Sequence, residues 1–141
     1  MIIKELIIYS YKTEDLKTYK FNEYGLNIIL GERTEEGQET NGVGKTTMVE
    51  SINYLLGGSC PKDFIGKSAL QEKDILLILN LFVNEKTIYL GRLINQPEKG
   101  YILSSENLSF DLGNWLSRES DEFKDYINEF IINNKPTEPS F

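Results

Sequence analysis

Asn41-Gly-Val-Gly-Lys-Thr-Thr47 carries the ending of a phosphate-binding loop. Glycines let a backbone wrap closely around phosphate oxygens, and a helix opening just after them aims free N–H groups and a positive dipole end at the same anion. Lys45 is spaced to reach the β- and γ-phosphates, and the Thr46 hydroxyl to ligate Mg²⁺. The full pattern also asks for an earlier glycine, at the position that Glu39 holds here. The context therefore has to decide the reading.

Working outward, Gly25-Leu-Asn-Ile-Ile-Leu-Gly31 is a short β-branched and apolar run bounded by glycines, which reads as a buried strand. Downstream, Met48, Val49, Ile52, Leu55 and Leu56 recur at helical spacing, and the run stops at Gly57-Gly58, a C-cap signal. Strand, glycine-bearing loop, Lys-Thr and amphipathic helix follow one another in the order the motif requires. If the glycines served only a tight turn, Lys45 would have no reason to stand at a helix start, where a cation opposes the macrodipole.

The 141 residues are enough for one core, and a net charge of −7 provides no global basic footprint for nucleic acid. A local basic strip stays open. The chain has no histidine, which removes the usual general base and the common metal triads. Its one cysteine, Cys60, lies in a Gly-Gly-Ser-Cys-Pro turn and has no internal disulfide mate. With no long apolar run and no signal-peptide pattern, the expectation is a cytoplasmic chain with no membrane partner.

Met1 to Tyr9 reads as a first strand and Leu16 to Phe21 as a second. Residues 32–40 form a polar, glutamate-rich excursion within the phosphate loop. Ile75–Val83 and Thr87–Ile94 flank a short polar turn and predict a β-hairpin, with Tyr101–Leu103 as a further strand of the meander. Leu112 to Arg118 is predicted to be a short helix carrying Trp115. Phe123, Tyr126, Ile127, Phe130 and Ile131 form a helical stripe that Ser120 would cap. Residues 133–141 read as a tail or a truncated end.

Nothing here completes a nucleotide hydrolase. The one approximation to a metal-holding strand end, Leu81-Phe-Val-Asn84-Glu85, has asparagine where aspartate is needed and matches hairpin-turn chemistry better. Leu56-Gly-Gly-Ser59 is superficially like a signature motif but sits where a helix C-cap belongs.

The motif order resembles the N-terminal lobe of SMC-like and RecF/RecN-like ABC ATPase heads. The resemblance rests on Met1–Tyr9, Asn41–Thr47, Met48-Val-Glu-Ser-Ile52 and Tyr89-Leu-Gly-Arg-Leu-Ile94. If Gly31 is the first loop glycine, about eight extra residues separate it from Gly44, compared with the usual motif. That widening is similar to the SMC-like component of prokaryotic ABC-type three-component defence systems. No glutamine matches the family's Q-loop well, since Gln71 and Gln96 fall in a connector and a turn.

The resemblance implies an α/β fold class, a P-loop NTPase lobe (an α+β lobe) of the ABC/SMC-head type with an antiparallel β-meander. Residues 1–141 would be a single lobe of a longer chain. It implies ATP and Mg²⁺ as cofactors, with Asn41, Gly42, Val43, Gly44, Lys45, Thr46 and Thr47 wrapping the phosphates. Lys45 would stabilise the γ-phosphate, Thr46 would ligate Mg²⁺ and Thr47 would approach the α-phosphate. Tyr11 and Lys12 occupy the region that touches base and ribose in the family; an exposed turn is an equal reading of them. The implied partners are a C-terminal lobe of the same protein with signature and Walker B motifs, a second head in a homodimer, and DNA in the full assembly. DNA maintenance or anti-phage defence would be the role. A complete small P-loop kinase or GTPase, and an interaction module with a vestigial loop, are the competing readings.

Overall fold

Ile75-Leu-Leu-Ile-Leu-Asn-Leu-Phe-Val83 is apolar at nearly every position, so it has to be covered on both faces. The rest of the fold is arranged around it. The computed structural model describes residues 2–21, 42–59 and 74–132, with backbone alone for 42–47 and 132. The elements are β1 (Ile2–Ser10), β2 (Leu16–Lys20), helix α1 (Gly42–Leu55), β3 (Ile75–Val83), β4 (Lys86–Leu93) and β5 (Lys99–Ser104). A 3-10 turn (Leu112–Asn114), β6 (Leu116–Glu119), helix α2 (Ser120–Tyr126) and a π-helical turn (Ile127–Ile132) follow.

The strands form one six-stranded sheet in the order β2-β1-β3-β4-β5-β6. Among the described residues every hydrogen-bonded neighbour pair runs antiparallel. This overturns the expected α/β P-loop NTPase lobe of the ABC/SMC-head type, whose sheet is built on parallel neighbours joined by crossover helices. The physical reason lies in β3. One of its edges is taken by its own hairpin mate β4 and the other by β1, both antiparallel, so no parallel partner lies beside it. The strand read at 25–31, the excursion at 32–40, Cys60 and the tail at 133–141 lie outside the described residues.

The β3–β4 connection is a tight turn at Asn84-Glu85, whose φ angles of 52° and 64° belong to a type I′ hairpin. The apparent strand end at Asn84 is therefore turn chemistry. On β1 the register shifts between Ile3 and Glu5, leaving Lys4 as the extra residue of a bulge. That extra residue turns Ile3 and Leu6, three apart, to the same face of the sheet, where both are buried. The Lys4 carbonyl instead accepts a hydrogen bond from Phe21 N–H at 2.9 Å.

One face of the sheet, with Leu77, Leu79 and Leu81 of β3 and Ile88 and Leu90 of β4, packs with Ile52, Tyr54 and Leu55 of α1 and Phe123, Ile127 and Ile131 of the C-terminal helix. Each fully buried aliphatic side chain there contributes about 1.5–3 kcal/mol. The opposite face, with Ile7, Leu76, Ile78, Tyr89 and Tyr101, is covered by the 105–115 connection, whose anchor is Trp115. Trp115 Nε1 donates to Ser109 O at 2.9 Å, and Asp111 Oδ1 accepts from Gly113 N–H at 2.9 Å to close the 3-10 turn. The helix expected over 112–118 is thus a single 3-10 turn followed by a strand. Pairing with β5 places Leu116 opposite Ile102 and Arg118 opposite Gly100, and this outweighs local helical preference.

Two glycines admit the large aromatics. A Cβ at Gly91 would stand 3.0 Å from Trp115 Cζ3, and one at Gly100 would overlap the Phe123 ring. Phe123 is completely buried, so its ring cannot swing away to solvent. Gly100→Ala is expected to lower the unfolding free energy by about 1–3 kcal/mol, seen as a reduced urea midpoint.

Candidate functional site

Helix α1 starts at Gly42, so Gly42, Val43 and Gly44 make up its opening turn, and Lys45, Thr46 and Thr47 come next along it. The opening turn of any α-helix has N–H groups with no intrahelical acceptor, and here that turn carries no acidic side chain to occupy them. Asn41 lies outside the described residues, and the side chains of Gly42 to Thr47, including the proposed Mg²⁺ ligand Thr46, are not described. From Met48 onward the helix turns its apolar residues to the sheet. Ser51, Ile52, Tyr54 and Leu55 are buried and Asn53 is exposed.

The other end of α1 is closed as its glycines predict. Gly57 takes φ 104°, Gly58 N–H donates to Asn53 O at 2.9 Å and Gly57 N–H donates to Tyr54 O at 3.1 Å. These crossed bonds form a Schellman motif, so Leu56–Ser59 acts as a helix stop.

Beside that stop lies a residue to which the sequence reading gave no role. Arg92, on β4, is only 3% exposed. Its Nη1 donates to Tyr54 O at 2.8 Å and to Gly58 O at 3.0 Å. Its Nη2 donates to Pro97 O, and Nε donates to Lys99 O at 3.4 Å. The guanidinium stacks 4.1 Å from the Tyr54 ring centroid, with the Phe123 ring 5.5 Å away. Burying a cation is costly unless polar groups replace water, and these carbonyl dipoles do so. The signal was present in the sequence as a lone arginine inside the apolar run Ile88–Ile94, a position where a charge needs dedicated partners.

Tyr11 and Lys12 sit in the turn between β1 and β2 and differ in exposure. Lys12 is exposed. Tyr11 is half-buried, edge-on to Tyr9 with ring centroids 5.0 Å apart, and its hydroxyl donates to Phe110 O. Tyr9 in turn stacks on Phe110 at 4.2 Å. The Tyr11 ring is thereby held in the aromatic packing under the 105–115 connection. Burial, with smaller contributions from Tyr9, Asp111 and Tyr101, pushes its phenol up to about 12. Burial likewise raises Tyr89, helped by the Glu5 carboxylate. That carboxylate accepts a hydrogen bond from Asn80 Nδ2 at 2.8 Å across β1 and β3.

Among the described residues no group of histidine, cysteine, aspartate and glutamate is placed to hold a metal ion. No helix among them is long and apolar enough to cross a membrane.

The chain is 38% identical over 141 residues to the uncharacterized protein YydD of Bacillus subtilis (strain 168). That alignment takes in all of this chain and 24% of the relative, so the chain spans about a quarter of the length of the curated relative it matches. No family model and no solved structure matches the chain.

The environment of Tyr11 has a pH consequence. The folded protein holds this phenolic proton more tightly than the unfolded chain, where the pKa is about 10. Its contribution to stability is therefore complete below pH 10 and is lost as pH rises toward about 12. Tyr11→Phe should remove that decline and lower stability at neutral pH by about 1 kcal/mol, the worth of the bond to Phe110. Urea unfolding measured across pH 8–12 checks both.

Proposed function

We propose that this chain is an ATP-binding half-site, in which Asn41 to Thr47 hold the phosphates with Mg²⁺ and hydrolysis draws on groups outside the chain. The observation that carries the reading is the opening of α1. Gly42-Val-Gly-Lys-Thr-Thr47 begins a 14-residue helix that packs by its apolar residues on the sheet and has no acidic residue in its first turn. Free amides, a positive dipole end and a lysine, with no anion supplied by the helix itself, favour a phosphate ligand. Lys45 at a helix start is unfavourable until an anion neutralises it.

Each residue would have a distinct task. The backbone N–H groups of Gly42 to Lys45 would bind phosphate oxygens. Lys45 would supply the charge opposite the β- and γ-phosphates, and Thr46 a hydroxyl for Mg²⁺. Mg²⁺ would supply charge neutralisation across the β- and γ-phosphate oxygens. Asn84, where a metal-holding strand end would need an aspartate, lies instead in the tight β3–β4 turn, which supports binding over turnover by this chain alone. The resemblance to SMC-like and RecF/RecN-like ATPases supports the reading through the motif and not through the sheet. A second head and a further lobe of the same polypeptide would then complete the site, in the cytoplasm where ATP is held.

Calorimetric titration of the chain with ATP–Mg²⁺ tests the reading. Weak binding is expected, reduced about tenfold to a hundredfold by Lys45→Ala, in line with the loss of a charge-assisted contact. Absence of binding at millimolar nucleotide would overturn it. Measurable hydrolysis by the isolated chain, lost in Lys45→Ala, would overturn its half-site character.

A further inference from the structure

Helix α1 presents an asymmetry of charge. Its last turn contains no basic residue, so the helix itself provides nothing to balance the negative end of its dipole. The balancing cation comes from the sheet. Arg92 lies among the final carbonyls of α1, bonded to Tyr54 O at 2.8 Å and to Gly58 O just past the helix end at 3.0 Å.

The same guanidinium is attached to other parts of the molecule. Its bonds to the Pro97 and Lys99 carbonyls fix the β4–β5 turn, and Ser120 N–H donates to Glu98 O at 2.8 Å within that turn, joining it to the start of α2. Tyr54 adds a second tie from α1 to β4, its hydroxyl donating to Leu93 O at 2.8 Å. The C-terminal end of α1 is therefore clamped to β4, near the centre of the sheet, by a cation from that strand and a phenol from the helix itself, both buried.

We propose that Arg92 is a positioning residue for the anion site at the far end of α1. This rests on the reading of Gly42–Thr47 as a phosphate site. A helix of 14 residues is a rigid lever of about 21 Å, so a tilt at its clamped end displaces its opening turn. Arg92 sets the tilt through its planar array of bonds to carbonyls. It also neutralises the carbonyl end, so that the field at the amide end is left for the ligand. Lysine would retain the charge but lose the forked geometry and the stacking on Tyr54.

The test compares the wild-type chain with Arg92→Lys and Arg92→Met. Nucleotide affinity is measured well below each variant's unfolding midpoint, and amide hydrogen exchange at Gly42 to Thr47 is followed without nucleotide. Arg92→Met is expected to weaken ATP–Mg²⁺ binding about fivefold to tenfold and Arg92→Lys about twofold to threefold, both with faster exchange at the opening turn. A lowered midpoint with unchanged affinity and unchanged exchange at Gly42 to Thr47 would reduce Arg92 to a structural role and overturn the proposal. If Arg92→Met does not fold, Arg92→Lys decides by the same two readouts. If the wild-type chain binds no nucleotide, the phosphate-site reading fails and the proposal fails with it. Binding by the wild type with no change in either variant overturns the role of Arg92 alone.

Discussion

A strand buried on both faces must be covered twice, and β3 imposes that requirement on this molecule. Leu77, Leu79 and Leu81 point to one side and Leu76 and Ile78 to the other, all essentially inaccessible to water. The helices α1 and α2 meet the first demand, and the 105–115 connection with Trp115 meets the second. Because β3 lies between β1 and β4, its backbone groups are also paired on both edges. The remaining elements are either further strands of that sheet or covers for its faces.

The covers are attached by different physical means. The 105–115 connection has little regular structure and is held by aromatic stacking and by side-chain bonds such as Trp115 to Ser109. Helix α2 seats Phe123 on Gly100, where no side chain competes for the space. Helix α1 depends on polar ties at its C-terminal end, with the Schellman bonds, the Tyr54 hydroxyl and Arg92 converging within one turn. An arginine there gives a second donor to the Tyr54 carbonyl, which also accepts from Gly57 N–H, and one to the Gly58 carbonyl just past the helix, which suits a residue that stays charged when buried. In the proposed site, affinity would depend on this distant anchorage as well as on Lys45, to a smaller degree.

Much of the local structure was legible in the sequence. The apolar runs Ile75–Val83 and Thr87–Ile94 with the polar turn between them specify a hairpin, and the chain reverses at Asn84-Glu85 within that turn. Gly57-Gly58 marks the end of α1, and of the stripe Phe123, Tyr126, Ile127, Phe130 and Ile131 all but the partly buried Phe130 are buried. Trp115 was misread as helical because propensity at Leu112–Arg118 says nothing of the open edge of β5, which Leu116–Glu119 fills. The α/β class failed for a similar reason. A strand–loop–helix order around a Lys-Thr motif records chain sequence and carries no information about which strand lies beside which.

By itself the sequence determined the elements governed by neighbours a few residues apart: the Asn84-Glu85 turn, the glycine stop of α1, the amphipathic stripe of α2 and the Gly-Val-Gly-Lys-Thr-Thr opening of α1. Periodicity and turn chemistry act over that range, so they can be read without a structure. Only the tertiary structure decided that β1 inserts between β2 and β3 in a sheet whose described strands all pair antiparallel, that Lys4 bulges to bring Ile3 and Leu6 to one face, and that Arg92 closes α1 from another element. Those choices depend on contacts across 30 residues or more, such as Arg92 with Tyr54, where burial and the need to satisfy every polar group outweigh any local preference.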